Sequence, residues 1–236
     1  MEEIYKSKTN VGIDVGIKSL AVLSDGKVIN NPRFLIKSEN KLKKLHKKLS
    51  RTKKGSKNRF KAKILLSRQY VKVTNQRNDF LHKESRKIAN EYSKIAVEDL
   101  KIKNMVKNHK LAKHINDASW NSFIQMLSYK AVDCGGQLIK VDPRNTSKIC
   151  SNCDNIQEMP LSERIFKCLK CGFTCDRDLN ASINHYDRAG LVRISTPVGD
   201  TVRPELFFKK ENFGKENGKN IKARVNETGT IFRNGT

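Results

Sequence analysis

The sequence predicts a mixed α/β domain with two additions, a basic helical hairpin and a small four-cysteine metal module. Three observations predict it. Short apolar runs bounded by Gly, Asp and Pro at residues 11–31, 94–98 and 137–142 read as strands. Between and after them, apolar residues recur at helical spacing. Five of the six cysteines fall between Cys150 and Cys175.

The first element is a meander. VGIDVG, SLAVLS and KVIN are three short strands, turned at Asp25-Gly26 and ended by Pro32, and the short connections predict antiparallel pairing. Residues 37–87 then hold 19 Lys and Arg against Glu39, Asp79 and Glu84, a net +16. Within them Leu42, Leu45 and Leu49, then Leu65, Leu66, Tyr70 and Val73, mark two helices on either side of a break at Lys53-Lys54-Gly55-Ser56. KIAVE, residues 94–98, is a buried strand ending on Glu98, and Lys101 to Lys113, with five Lys and no acid, reads as a loop.

From Asp117, taken as an N-cap, Trp120, Phe123, Ile124, Leu127 and Ala131 line one helical face as far as Gly135-Gly136. That face suits a core better than base stacking. QLIKVD is the next strand, stopped by Pro143, and a last helix runs from Asp178 to about Ala189. Residues 193–236 have little periodicity and are expected to be a disordered tail.

The whole chain has 236 residues with 48 Lys and Arg against 24 Asp and Glu, a formal +24. Such an excess points to a polyanionic partner. No apolar stretch approaches the ~20 residues of a membrane span and the first ten residues lack a signal-peptide core, so the chain reads as a soluble cytoplasmic protein with no membrane partner. Oligomeric state is not legible.

Cys150-Ser-Asn-Cys153 and Cys168-Leu-Lys-Cys171 are two C-x-x-C knuckles fourteen residues apart. Two knuckles supply four thiolates and no open position, the arrangement of structural Zn2+. Cys175 lies four residues past the second knuckle and is a poor fifth ligand, though one able to exchange into the site; Cys134 reads as a small buried apolar residue. His46, His82, His109, His114 and His185 show no ligand spacing and receive no role.

Three acids border the expected sheet: Asp14 inside the first strand, Glu98 ending a later one, and Asp178 opening the last helix. Each has a structural explanation, as a partner of Lys18, a strand-end acid and an N-cap respectively. Together they match what two Mg2+ ions need, carboxylate oxygens converging from separate elements.

The runs GIDVGIKSLAVLSDGKVINNPRF, KSENKLKKLHKKLSRTKKGSKNR, AVEDLKIKNMVKNHKLAKHINDASW, VDPRNTSKICSNC and CDRDLNASIN resemble the C-terminal part of TnpB (OrfB), the transposon-encoded, RNA-guided nuclease family related to type V CRISPR effectors. The resemblance spans about residues 10–190. It implies an RNase H-like RuvC domain over 10–145 and 176–192, interrupted by the basic hairpin (37–87) and by a zinc ribbon (146–175) between the last strand and the last helix. It places the catalytic, Mg2+-binding triad on Asp14, Glu98 and Asp178, with Asp176 of the same DRD as the competitor for the third position and Cys175 where relatives often carry His. It also implies DNA as substrate and a guide RNA as partner. Because the first strand begins near residue 10, the chain reads as N-terminally truncated relative to the family.

Two functions follow. In the first, a Mg2+-dependent endonuclease cuts DNA at the triad, while Lys41, Lys43, Lys44, Lys47, Lys48, Lys53, Lys54 and Lys57 hold nucleic-acid backbone by salt-sensitive contacts. Arg177 either contacts a phosphate or neutralises the carboxylates. In the second, the same basic surface binds nucleic acid without cutting, as a regulator of the transposon would. Strand transfer by a transposase would use the same acids.

Overall fold

The computed structural model describes residues 9–160, 162–191, 215–216 and 219–220. Strands β1 (Thr9–Val15), β2 (Ser19–Leu23) and β3 (Val28–Asn30) form the expected antiparallel meander. Gly26, at φ 90°, turns β2 into β3 in a conformation that a side chain would strain. All four residues from Leu20 to Leu23 are buried, as befits a strand covered on both faces.

Helices α1 (Phe34–Ser50) and α2 (Lys57–Glu91) follow, joined near Gly55 as the sequence predicts. Ser56 caps α2 by accepting from the Arg59 amide, and the Arg59 guanidinium closes α1 by donating to the carbonyls of Leu49 and Thr52. Only part of the expected apolar stripe is buried. Ala62, Leu66, Gln69 and Val73 face inward at helical spacing, whereas Leu65 and Tyr70 are 41% and 43% exposed. The 35-residue α2 is roughly 52 Å long at 1.5 Å per residue, and its first half packs on α1, whose one buried residue is Leu42. So narrow a contact covers one stripe and leaves its flanks in water.

Strand β4 (Tyr92–Glu98) enters beside β1 in parallel, followed by α3 (Ile102–Met105), α4 (His109–Ala118), α5 (Trp120–Asp133) and β5 (Gln137–Val141), which lies parallel to β4. Two expectations fail here. Residues 101–113 are largely helical, because Asn108 caps α4 and Ile115 and Ala118 bury one side of it while the lysines stay outside. Asp117 is not an N-cap of its neighbour. It lies buried inside α4, and its Oδ1 accepts from the Leu35 amide, serving the start of α1, whose own N-cap residue Arg33 makes no side-chain cap bond. Cys134, expected to be buried, is half-buried at the end of α5.

The sheet order is β3-β2-β1-β4-β5, with β2 antiparallel to its neighbours and β1, β4 and β5 mutually parallel. One face carries Val11, Ile13, Ile95 and Val97, which pack with Leu81, Ile88, Trp120, Phe123 and Leu127 of α2 and α5. Each fully buried side chain of this kind contributes about 1.5–3 kcal/mol, so this face supplies most of the apolar burial. The opposite face is covered by α6 (Arg177–Arg188). Between β5 and α6 lies a small module with strands β6 (Ile165–Lys167) and β7 (Thr174–Asp176), paired antiparallel. The chain divides into two compact units after Ile194. In the second, β8 (Lys215–Glu216) pairs antiparallel with β9 (Lys219–Asn220); apart from these, the expected disordered tail lies outside the described residues.

Candidate active site and metal module

Strand register builds the site. Gly12 and Ile13 pair with Ala96 and Val97 in parallel, so the next residues, Asp14 and Glu98, stand side by side on one face. On that face α6 lies directly on β1. A Cβ at Gly12 would come within 2.0 Å of the Ser182 carbonyl oxygen and 2.7 Å of the Tyr186 nitrogen, so only glycine lets the helix approach this closely.

The carboxylate oxygens of Asp14 and Glu98 and a ring nitrogen of His185 all lie within 4.8 Å of one another. Burial pushes the Asp14 carboxyl up to about 8; the nearby charges of Asp178 and Glu98 add to the rise, while His185 and Arg177 oppose it. Its leading electrostatic neighbours are His185, Asp178, Glu98 and Arg177, in place of the expected Lys18. Glu98 is oriented by Thr146, whose hydroxyl donates to Oε1 at 3.1 Å.

Asp178 sits at the rim. Its charge acts on Asp14, but its oxygens face Arg177 Nε at 3.5 Å and an Arg164 guanidinium nitrogen at 3.7 Å, outside the tight group of three. The expected N-cap role of Asp178 belongs instead to Asp176, whose Oδ1 accepts from the amides of Asp178 and Leu179. Arg177 also donates to the Glu163 carbonyl and is 14% exposed.

Sequence reasoning missed His185, which is fully buried, with Nδ1 2.9 Å from the Ile13 carbonyl and Nε2 3.7 Å from Glu98 Oε1. Burial lowers its affinity for a proton, but Glu98 and Asp14 outweigh this and leave its pKa raised. The sequence does carry a signal for it. His185 follows Asp178 by seven residues, two helical turns, and so shares its face.

The four cysteines converge as their spacing predicts. Cys150 and Cys171 sulfurs are 3.7 Å apart, those of Cys153 and Cys168 3.6 Å. A tetrahedron with bonds of ~2.3 Å has edges of roughly 3.8 Å, so the cluster fits a zinc ion without rearrangement. Backbone N–H groups of Cys171 and Lys170 pull the Cys168 thiol down to about 6, towards the thiolate that a metal needs, whereas burial holds Cys150 up to about 12. Cys175 lies outside the cluster, packed with Phe166 and Met159, its thiol pushed up to about 12 by burial. Two asparagines join this module to α6. Asn180 donates to the Ile149 carbonyl and accepts from the Ser151 amide, and Asn184 donates to the carbonyls of Thr146 and Ile149.

Of the basic residues predicted to meet nucleic acid, the eight lysines are exposed, Lys41, Lys43, Lys44, Lys47 and Lys48 on α1, Lys53 and Lys54 in the connection, and Lys57 opening α2, whereas Arg177 is half-buried against Asp178. Lys44, Lys47, Lys48, Arg51 and Thr52 line an open cleft of about 410 Å³. Among the described residues no helix is long and apolar enough to cross a membrane.

The chain is similar to several known proteins. Residues 2–109 match the OrfB_IS605 family, described as a probable transposase, and residues 120–185 match the Cas12f1-like TNB domain. A Streptomyces pristinaespiralis protein named "Putative RNA-guided DNA endonuclease" is 40% identical over 197 residues, covering 83% of this chain and 48% of its own. InsQ of Escherichia coli K12, which bears the same description, is 34% identical over 197 residues, 77% of this chain and 49% of its own. The chain thus spans about half the length of these curated relatives. Among solved structures, the Cas12f1–sgRNA–target DNA complex aligns with a TM-score of 0.52 at 22% identity, over 74% of this chain and 48% of that one, a likeness of fold.

Proposed function

This chain belongs to the TnpB/OrfB family, and from that premise we propose that it is a metal-dependent DNA endonuclease built on an RNase H-like RuvC sheet, with DNA as substrate and a guide RNA as partner, working at the prokaryotic nucleoid. The observation that carries the reading is the placement of Asp14 and Glu98 as lateral neighbours on two parallel strands, beneath the helix that begins beside Asp178. A half-buried pair of acids held side by side is costly unless cations neutralise it. The strand order, with one antiparallel meander leading into two parallel strands, supports the RNase H-like assignment over 10–145 and 176–192.

The roles follow from position. Asp14, Glu98 and Asp178 supply the oxygens that hold two Mg2+ ions, which when bound act as Lewis acids on a phosphodiester and lower the pKa of an attacking water. Thr146 fixes the Glu98 carboxylate. Arg164 and Arg177 hold Asp178 at the rim until DNA and cation enter. The exposed lysines of α1 and its connection grip the nucleic-acid backbone through non-specific charge. Cys150, Cys153, Cys168 and Cys171 hold a structural Zn2+, and residues 146–175 act as a zinc ribbon that braces α6.

One observation favours the second reading, binding without cutting: Asp178 is engaged by two guanidinium groups and stands outside the group formed by Asp14, Glu98 and His185. The purified chain with labelled single-stranded DNA separates the two. Cleavage that needs added Mg2+ and disappears in Asp14→Ala establishes the nuclease; salt-sensitive binding with no cleavage establishes the second reading.

A further inference from the structure

The ring of His185 is keyed to the catalytic strand. Its Nδ1 lies 2.9 Å from the carbonyl of Ile13, the residue before Asp14. A carbonyl can only accept, so Nδ1 carries the hydrogen, and in the neutral imidazole, the form that binds a metal, Nε2 presents its lone pair. That nitrogen is fully buried and, among the described residues, no hydrogen bond reaches it; Glu98 Oε1 at 3.7 Å is beyond hydrogen-bond length. Its neighbours are the carboxylate oxygens of Asp14 and Glu98, all within 4.8 Å. Once a cation displaces the protons held among them, as metal binding requires, two carboxylate oxygens and an imidazole nitrogen offer electron pairs within 4.8 Å of one another. Metal-bound imidazoles commonly have this outer arrangement, the second ring nitrogen donating to a backbone carbonyl that sets the tautomer.

We propose that His185 Nε2 is a ligand of the cation held by Asp14 and Glu98, which makes that position a mixed nitrogen–oxygen site with a preference for Mn2+ over Ca2+. The proposal rests on the reading that Asp14 and Glu98 hold a cation. An all-oxygen site suits Mg2+, Ca2+ and Mn2+ alike, whereas an imidazole adds affinity for first-row transition metals over the alkaline earths. The remaining acid, Asp178, then serves a second cation nearer the rim, where its arginine partners are.

Mn2+ bound to the full chain provides the test, read by pulsed electron paramagnetic resonance. The wild type is expected to show modulation from a directly bound nitrogen, and growth on 15N-histidine should change its frequency while leaving the fold untouched. His185→Leu should abolish the modulation and weaken Mn2+ binding by at least about tenfold, given that even groups that only orient a metal ligand are worth roughly 10–100-fold, while Ca2+ affinity changes far less. Mn2+ bound in an Asp14-dependent manner with no nitrogen modulation would overturn the proposal and leave the carboxylate reading standing. Mn2+ binding indifferent to Asp14→Asn would overturn the carboxylate reading, and this proposal with it.

Discussion

The two helical faces that cover the sheet differ in kind. On one side α5 buries Trp120, Phe123, Leu127 and Ala131 against β1 and β4; on the other α6 buries Asn180, Ser182, Asn184 and His185. An apolar face needs volume and tolerates some repacking, whereas every buried polar group must find a partner at a set distance and direction. The first face therefore holds the molecule together and the second determines where particular atoms sit. Asn180 and Asn184 bind the cysteine module, Ser182 bonds back to the Leu179 carbonyl, and His185 addresses Ile13 and the acids.

Removing the metal from the cysteine cluster should separate the two faces most. Structural zinc contributes on the order of 10 kcal/mol to small domains that depend on it. Chelation is expected to open residues 146–175 to protease while the packing around Trp120 persists in its fluorescence. It should also abolish cleavage, because Thr146, which orients Glu98, is tied to the same asparagine as the module. Next in size is Phe123→Ala on the apolar face, fully buried in the wild type; a loss of about 3–5 kcal/mol is expected in denaturant unfolding.

Gly12→Ala probes the polar side. The added methyl meets α6 backbone at 2.0 Å, and overpacking of this kind costs about 1–3 kcal/mol. Because the helix must shift away from Asp14, cleavage should fall by more than stability predicts, as activity and unfolding measured on one preparation would reveal. Smallest of all, replacing Lys44 and Lys48 by Ala should leave unfolding unchanged and reduce the slope of log affinity for DNA against log salt by about one for each phosphate no longer neutralised.

Much of this is legible in the sequence. Short apolar runs give the strands, Gly55 the hairpin break, and the C-x-x-C spacing the metal cluster, because each signal is local. What is not legible depends on which face a helix turns to a partner. Residues 101–113 read as a loop from their lysines, yet Ile115 and Ala118 find a surface to cover and make α4 stable. Asp117 reads as the cap of the helix it precedes, yet the amide it binds lies 82 residues away. The seven-residue step from Asp178 puts His185 on the right face of α6 but does not name its companions, which lie on β1 and β4 and meet it only through the close approach at Gly12.

The proposed cation site implies that the polar face gives up stability to hold its acids together, and Asp14→Asn tests this most directly. The carboxyl titrates near 3.8 in the unfolded chain and near 8 in the fold. Between those values the fold retains a proton that the unfolded chain has released, so without added divalent cation the contribution of Asp14 to stability falls as pH rises from about 4 to 8. The amide does not titrate. Asp14→Asn is therefore expected to unfold at higher denaturant than the wild type, by an order of a few kcal/mol at pH 8 and little at pH 4, while losing Mg2+-dependent cleavage. A variant no more stable than the wild type at pH 8, or one that still cuts DNA, would contradict this.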